Sequence, residues 1–180
     1  MMLNRMGSSL LLLIMIAGLS LLTPYQAIGQ TKVITDKAAG EEVTKTFTAY
    51  IHTIKQTDGT TYVNVDPISW YQGEAADRIF KELEPEGYKE LGGSPDGYYI
   101  VNNTEEHDSY AVKPDAEVLM QLYDRDGHPE NADIRWNEPI TLDKFVTVLG
   151  KGGLLDPASF PYHITVQDGQ VVKIVQQYIP

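Results

Sequence analysis

The sequence predicts a β-rich α+β domain. Asp-Gly dipeptides sit between segments that alternate apolar and polar residues, two short segments switch to three- and four-residue spacing, and the strand–helix–strand alternation of a doubly wound sheet is absent. Asp-Gly supplies the positive φ angles of a two-residue hairpin turn, so each such pair between alternating segments predicts a hairpin. Asp58-Gly59 joins residues 43–55 to 60–66. In the first of these strands Val43, Phe47, Ala49 and Ile51 share one face and Thr44, Thr46, Thr48 and Tyr50 the other; Val63 and Val65 alternate in the second. Asp168-Gly169 joins 162–167, with Ile164 and Val166 on one face, to 171–178, where Val172 and Ile174 alternate. Three further strands are expected at 98–102, 109–113 and 117–123, with Asp126-Gly127 marking another turn.

Residues 73–83 and 141–149 are expected to be helical. Ala75, Ala76, Ile79, Phe80 and Leu83 make one stripe, with Glu74 and Asp77 at the positive end of the helix dipole. Leu142, Phe145, Val146 and Leu149 make the other, opened by Thr141 as N-cap and closed by Gly150. Each helix is short and one-sided, so each should lie across a sheet or plug the end of a barrel. The architecture expected is a small twisted antiparallel sheet, or that sheet curled into a partly closed barrel of the OB type, with two short helices.

Ahead of this domain, Arg5 precedes an apolar run from Leu10 to Leu22, followed by Pro24 and the small residues Ala27 and Gly29. That order of charge, apolar run and small residues is that of a secretory signal cleaved near Gly29. The run falls short of the roughly twenty apolar residues that span a bilayer. The expected organisation is a signal peptide over 1–29, a flexible leader over 30–41 and one domain over 42–180, secreted or periplasmic, without membrane insertion after cleavage. Removing 1–29 takes away Arg5 and no acid, so the formal net charge moves from −11 to −12. Such a surface repels nucleic acid and anionic lipid. The chain has no cysteine, which excludes thiol nucleophiles, thiolate zinc sites and iron–sulfur clusters.

Few motifs carry chemistry. His52, His107, His128 and His163 lie in separate segments without metal-ligand spacing, and His52 and His163, being in strands, read as satisfied structural imidazoles. Asp124, Asp126, Glu130 and Asp133 invite a calcium reading, but Gly127 and His128 fall at the wrong positions for an EF-hand, so a turn or acidic surface loop is expected. No nucleophile elbow, SxxK pair or P-loop is present, and Gly150-Lys151-Gly152-Gly153 follows a helix instead of opening one. No metal or cofactor is expected. Aromatic residues gather at Trp70-Tyr71, Tyr98-Tyr99 and Trp136, with Asn102, Asn103 and His107 close behind the second pair. Rings beside amides suit stacking on sugars or gripping a peptide. The candidate ligand site is therefore Trp70, Tyr71, Tyr98, Tyr99, Asn102 and His107, set against a plain structural role for the rings in the sheet.

The segments WYQGEAA (70–76), DGYYIVNNTEE (96–106) and FPYHITVQDGQVVKIVQQYIP (160–180) resemble those of a group of bacterial exported proteins. The group's pattern is W-[FY]-x-G-x-x-A, then [ND]-x-Y-Y-I-x-N, then a closing hairpin Y-W-[IL]-T-V-x-D-G-x-V-x-x-I-x-E-Q-Y-x-P. His163 stands where that pattern has Trp and Gln176 where it has Glu, so a role carried by either does not transfer. The resemblance implies an exported bacterial domain and brings no catalytic residue with it. The expected function is non-enzymatic binding of a small ligand, glycan or protein. Its rivals are a hydrolase built on dispersed carboxylates, with His107 as base, and a structural envelope protein without ligand.

Overall fold

The computed structural model describes residues 42–104, 106–152 and 155–180; the expected signal peptide and leader lie outside them. Seven strands and three α-helices follow one another as β1 (Thr44–Thr57), β2 (Thr60–Gln72), α1 (Glu74–Leu83), α2 (Pro85–Leu91), β3 (Tyr98–Val101), β4 (Asp108–Met120), β5 (Glu138–Ile140), α3 (Leu142–Leu149), β6 (Pro161–Gln167) and β7 (Gln170–Gln176). No helix among the described residues is long and apolar enough to cross a membrane.

Five strands close a ring. β1 pairs with β2 and β6, β2 with β4 and β6 with β7, all antiparallel, and β4 with β7 in parallel. The ring order β1-β2-β4-β7-β6, with its third and fifth strands in chain order parallel, is that of an OB-type barrel. The barrel alternative is thus the one realised, mixed instead of antiparallel and closed instead of partly closed. The single parallel pair follows from connectivity. β4 reaches β6 only through β5 and α3, a crossover long enough to bring the last hairpin back alongside β4. β3 and β5 extend the sheet at its two margins.

The two predicted hairpins are present. Asp58 and Gly59 (φ 50° and 77°) and Asp168 and Gly169 (φ 48° and 81°) take the left-handed conformation at both central positions. Asp126-Gly127 does not join strands; Asp124 Oδ1 accepts from Gly127 N and Asp126 Oδ1 from His128 N, making an irregular loop. The segments 109–113 and 117–123 become one strand through Met120, whose pairing with β7 shifts between Val112 and Glu117. Pro114 lies in that shift, where it owes the ladder no N–H. A second bulge leaves Val172 between the pairs Val166–Val171 and Thr165–Lys173, so Val171 and Ile174 face the core and Val172 does not. Val43, expected on the inner face, lies before β1 and is exposed.

The barrel interior holds Phe47, Ala49, Ile51, Val63, Val65, Val112, Val118, Met120, Tyr162, Ile164, Val166, Val171 and Ile174. α3 joins this core through Phe145 and Val148, with the Phe145 ring edge-on to Tyr162 at 5.7 Å. Thr141 caps α3 by accepting from Lys144 N, an interaction that typically contributes about 1 kcal/mol. α2 was not expected, since Pro85 and Gly87 interrupt the helical pattern. Pro85 stands at the helix start, where its missing N–H costs nothing, and Gly92 ends the helix in the left-handed region. The excursion α1-α2-β3 is pinned at its base. Asp77 Oδ1 accepts from Ser94 N and Oγ, and Gly73 N donates to Gly97 O.

Candidate functional site

The expected aromatic site divides between two faces. The β2–β3 ladder pairs Trp70 with Ile100, Tyr71 with Tyr99 and Gln72 with Tyr98. Side chains alternate along a strand, so Trp70 and Tyr98 share one face while Tyr71 and Tyr99 share the other. Trp70 is 1% exposed and lies flat against Tyr98, with ring centroids 4.7 Å apart. Tyr99 packs on Phe80 of α1 at 5.4 Å and donates its hydroxyl to Glu84. Trp136 is 68% exposed, on the segment before β5, and meets Tyr178 edge-on.

That Tyr99–Glu84 bond, with lesser contributions from burial and the Glu84 charge, pushes the Tyr99 phenol up to about 12. A tyrosine raised above its unfolded value of about 10 adds stability that is present below that value and lost as pH rises through the folded one. Ultraviolet titration should show Tyr99 among several late-ionising tyrosines, and Glu84→Gln should return one of them toward the ordinary range. Identical curves for the two proteins would contradict this assignment.

Asn102 and His107 do come together, with a partner that was not anticipated. β2 pairs with β4 through Thr61–Val65 and with β3 only from Ser69 onward. The edge at 66–68 is left without a strand partner on that side, and Pro67 has no N–H to leave unsatisfied there. The connection from Val101, beside Ser69, to Asp108, beside Val65, must run along this gap. Asp66, Asn102, Asn103, Thr104 and His107 line an open cleft there of about 460 Å³. Asp66 Oδ2 accepts from Asn102 Nδ2 at 2.7 Å, while its Oδ1 is buried without a protein partner among the described residues. Tyr50 stands opposite Asp66 in the β1–β2 ladder. Burial first, and then Tyr98 and the Asp66 charge, raise its phenol, keeping it a neutral hydrogen-bonding group. The signal for Asp66 was faint: an acid preceding a proline inside a strand that then changes partner.

The histidines behave differently from one another. His163 is held by Thr48 Oγ1 at 3.0 Å and Gln177 Oε1 at 2.9 Å, the structural role expected of it. His52 is not a satisfied core imidazole. It sits in the β1 bulge between Ile51 and Thr53, is exposed, and touches His107 with ring centroids 4.9 Å apart. No three His, Asp or Glu side chains among the described residues converge to hold a metal ion.

Several other acids are engaged elsewhere. Arg125 binds Asp133 and Glu138, and Arg135 also reaches Asp133. Burial would raise Glu138, but its bonds from Arg125 and Tyr123 outweigh that and hold it low. Asp133 is lowered by Arg135, and Asp126 by the backbone N–H of His128. A second cleft, of about 360 Å³ and bordered by Gln56, Thr61, Thr141 and Asp143, lies away from the histidines at the start of α3. No family model, curated protein or solved structure matches this chain.

Proposed function

We propose that this chain is an exported, non-enzymatic domain that binds a small polyhydroxylated ligand, a glycan or a single sugar, in the cleft beside Asp66. One observation carries the reading: Asp66 lines the cleft with its carboxylate fixed by Asn102 through one oxygen, while the other is buried without a protein partner among the described residues. A buried acceptor without a donor costs about 1–3 kcal/mol, which a ligand hydroxyl would recover. Asn103, Thr104 and His107 supply further donors and acceptors around it. Export rests on the signal pattern of 1–29, and the acidic charge disfavours nucleic acid as partner. Hydrolysis by paired carboxylates would need a second acid at the cleft and one acid raised in pKa. Among the described residues the cleft lining holds one carboxylate, and the carboxyl groups shifted among those residues, Asp126, Asp133 and Glu138, are all lowered.

The test is amide chemical-shift mapping of the exported protein against glucose, galactose, N-acetylglucosamine and their β-1,4-linked disaccharides. Shifts should centre on 102–104 and 107. Asp66→Ala or Asn102→Ala should weaken binding at least about tenfold, equivalent to 1.4 kcal/mol. Perturbations elsewhere, affinity unchanged in both variants, or release of sugar products would overturn the proposal.

A further inference from the structure

We infer that His52 and His107 form a two-imidazole site for a borderline divalent transition cation, with copper(II) bound most tightly. Two irregularities of the barrel bring these residues together from segments far apart in the chain. The bulge between Ile51 and Thr53 takes His52 out of the β1–β2 ladder, and a bulge re-aims the side chain it carries. His107 ends the connection that runs along the unpaired edge of β2, immediately before β4 begins at Asp108.

The spacing fits a shared ion. A metal–nitrogen distance of about 2.0–2.1 Å, with ligand angles from square to tetrahedral, puts two imidazole centroids roughly 4.5–5.1 Å apart. The observed separation is 4.9 Å. Both residues are exposed, which leaves room for an ion and for the waters that would complete its shell. Of the other two histidines, His163 is held by Thr48 and Gln177, and His128 lies on the surface 3.4 Å from Glu130. Asp66 lies in the cleft with His107, and Asp108 follows His107 in the chain, so the local charge favours a cation. No third protein ligand converges among the described residues, which argues against a closed zinc cage. Two imidazoles and solvent suit copper(II), which such sites prefer over nickel(II) and zinc(II).

His52 does not line the cleft, so His52→Ala removes an ion ligand while leaving every proposed sugar-contacting residue in place. Copper(II) alone should be titrated into the exported protein, followed by calorimetry and by electron paramagnetic resonance. One equivalent should bind, with nitrogen hyperfine structure from two imidazoles. His52→Ala and His107→Ala should each weaken binding at least tenfold, while His128→Ala leaves it unchanged. Circular dichroism of each variant establishes that the barrel is intact. Wild-type affinity in a folded His52→Ala protein, or equal binding by wild type and the His52/His107 double variant, would overturn the inference and leave a packing contact between two exposed rings.

Discussion

Trp70→Ala is expected to lower stability by about 4 kcal/mol, within the range for truncating a buried tryptophan. Urea unfolding followed by circular dichroism would measure it. The indole is 1% exposed and lies against Tyr98, at a position whose backbone pairs with Ile100 of β3 two residues beyond the end of the β1–β2 ladder at Ile68. The β3 ladder and the Tyr98 ring hold the walls of the space the side chain leaves, so most of the cavity would persist. Trp70→Phe should recover more than half of the loss. It keeps a ring against Tyr98, and the indole Nε1 it removes has no protein partner among the described residues. A cost below about 1 kcal/mol for the alanine variant would mean that Trp70 is not a core residue. The consequence for function is direct: altered ligand binding in Trp70→Ala would report on the fold, so the cleft is better probed at Asp66 and Asn102.

The parts of this fold legible in the sequence were the local ones. Asp58-Gly59 and Asp168-Gly169 mark hairpins because few residues tolerate two successive positive φ angles. Thr141 and Gly150 bracket α3 because caps act within one turn. Ring closure was not legible, since it depends on pairs such as Val112 with Val171, which no local pattern couples. The bulges at His52 and Val172 were hidden for a related reason: alternation assumes an unbroken ladder, and each bulge changes which face the following residues occupy. For the candidate site, Asn102 and His107 were found but Asp66 was missed, because its role arises where β2 exchanges one partner for another. The division of the aromatic residues was available in advance. Trp70 and Tyr71 are neighbours in a strand, as are Tyr98 and Tyr99, so neither pair can present both rings to one surface.

Gln176→Met is expected to cost about 3 kcal/mol or more although it preserves side-chain length, because three backbone groups lose a partner at once. Gln176 is 1% exposed. Its Oε1 accepts from Gln121 N and Leu122 N, both at 2.8 Å, and its Nε2 donates to Leu122 O at 2.9 Å. The parallel β4–β7 ladder has its last backbone pair at Leu119 and Val175, and beyond it the Gln176 amide takes the place of a peptide group. Gln121, positioned in this way, accepts from Asn137 N through its side chain and from Arg135 N through its carbonyl, holding the segment that leads into β5. Gln176→Glu separates geometry from charge. A protonated glutamic acid can still accept both N–H bonds and donate to Leu122 O, whereas the carboxylate sets a buried charge against that carbonyl. The folded-state pKa should then lie above the unfolded value of about 4.3, so stability relative to wild type is retained at lower pH and lost as pH rises through the folded value. Urea midpoints at pH 4.5 and pH 8 would reveal a deficit for the glutamate variant that grows with pH toward that of the methionine variant. A deficit independent of pH would mean that the two N–H bonds stabilise the carboxylate enough to offset its loss of the bond to Leu122 O.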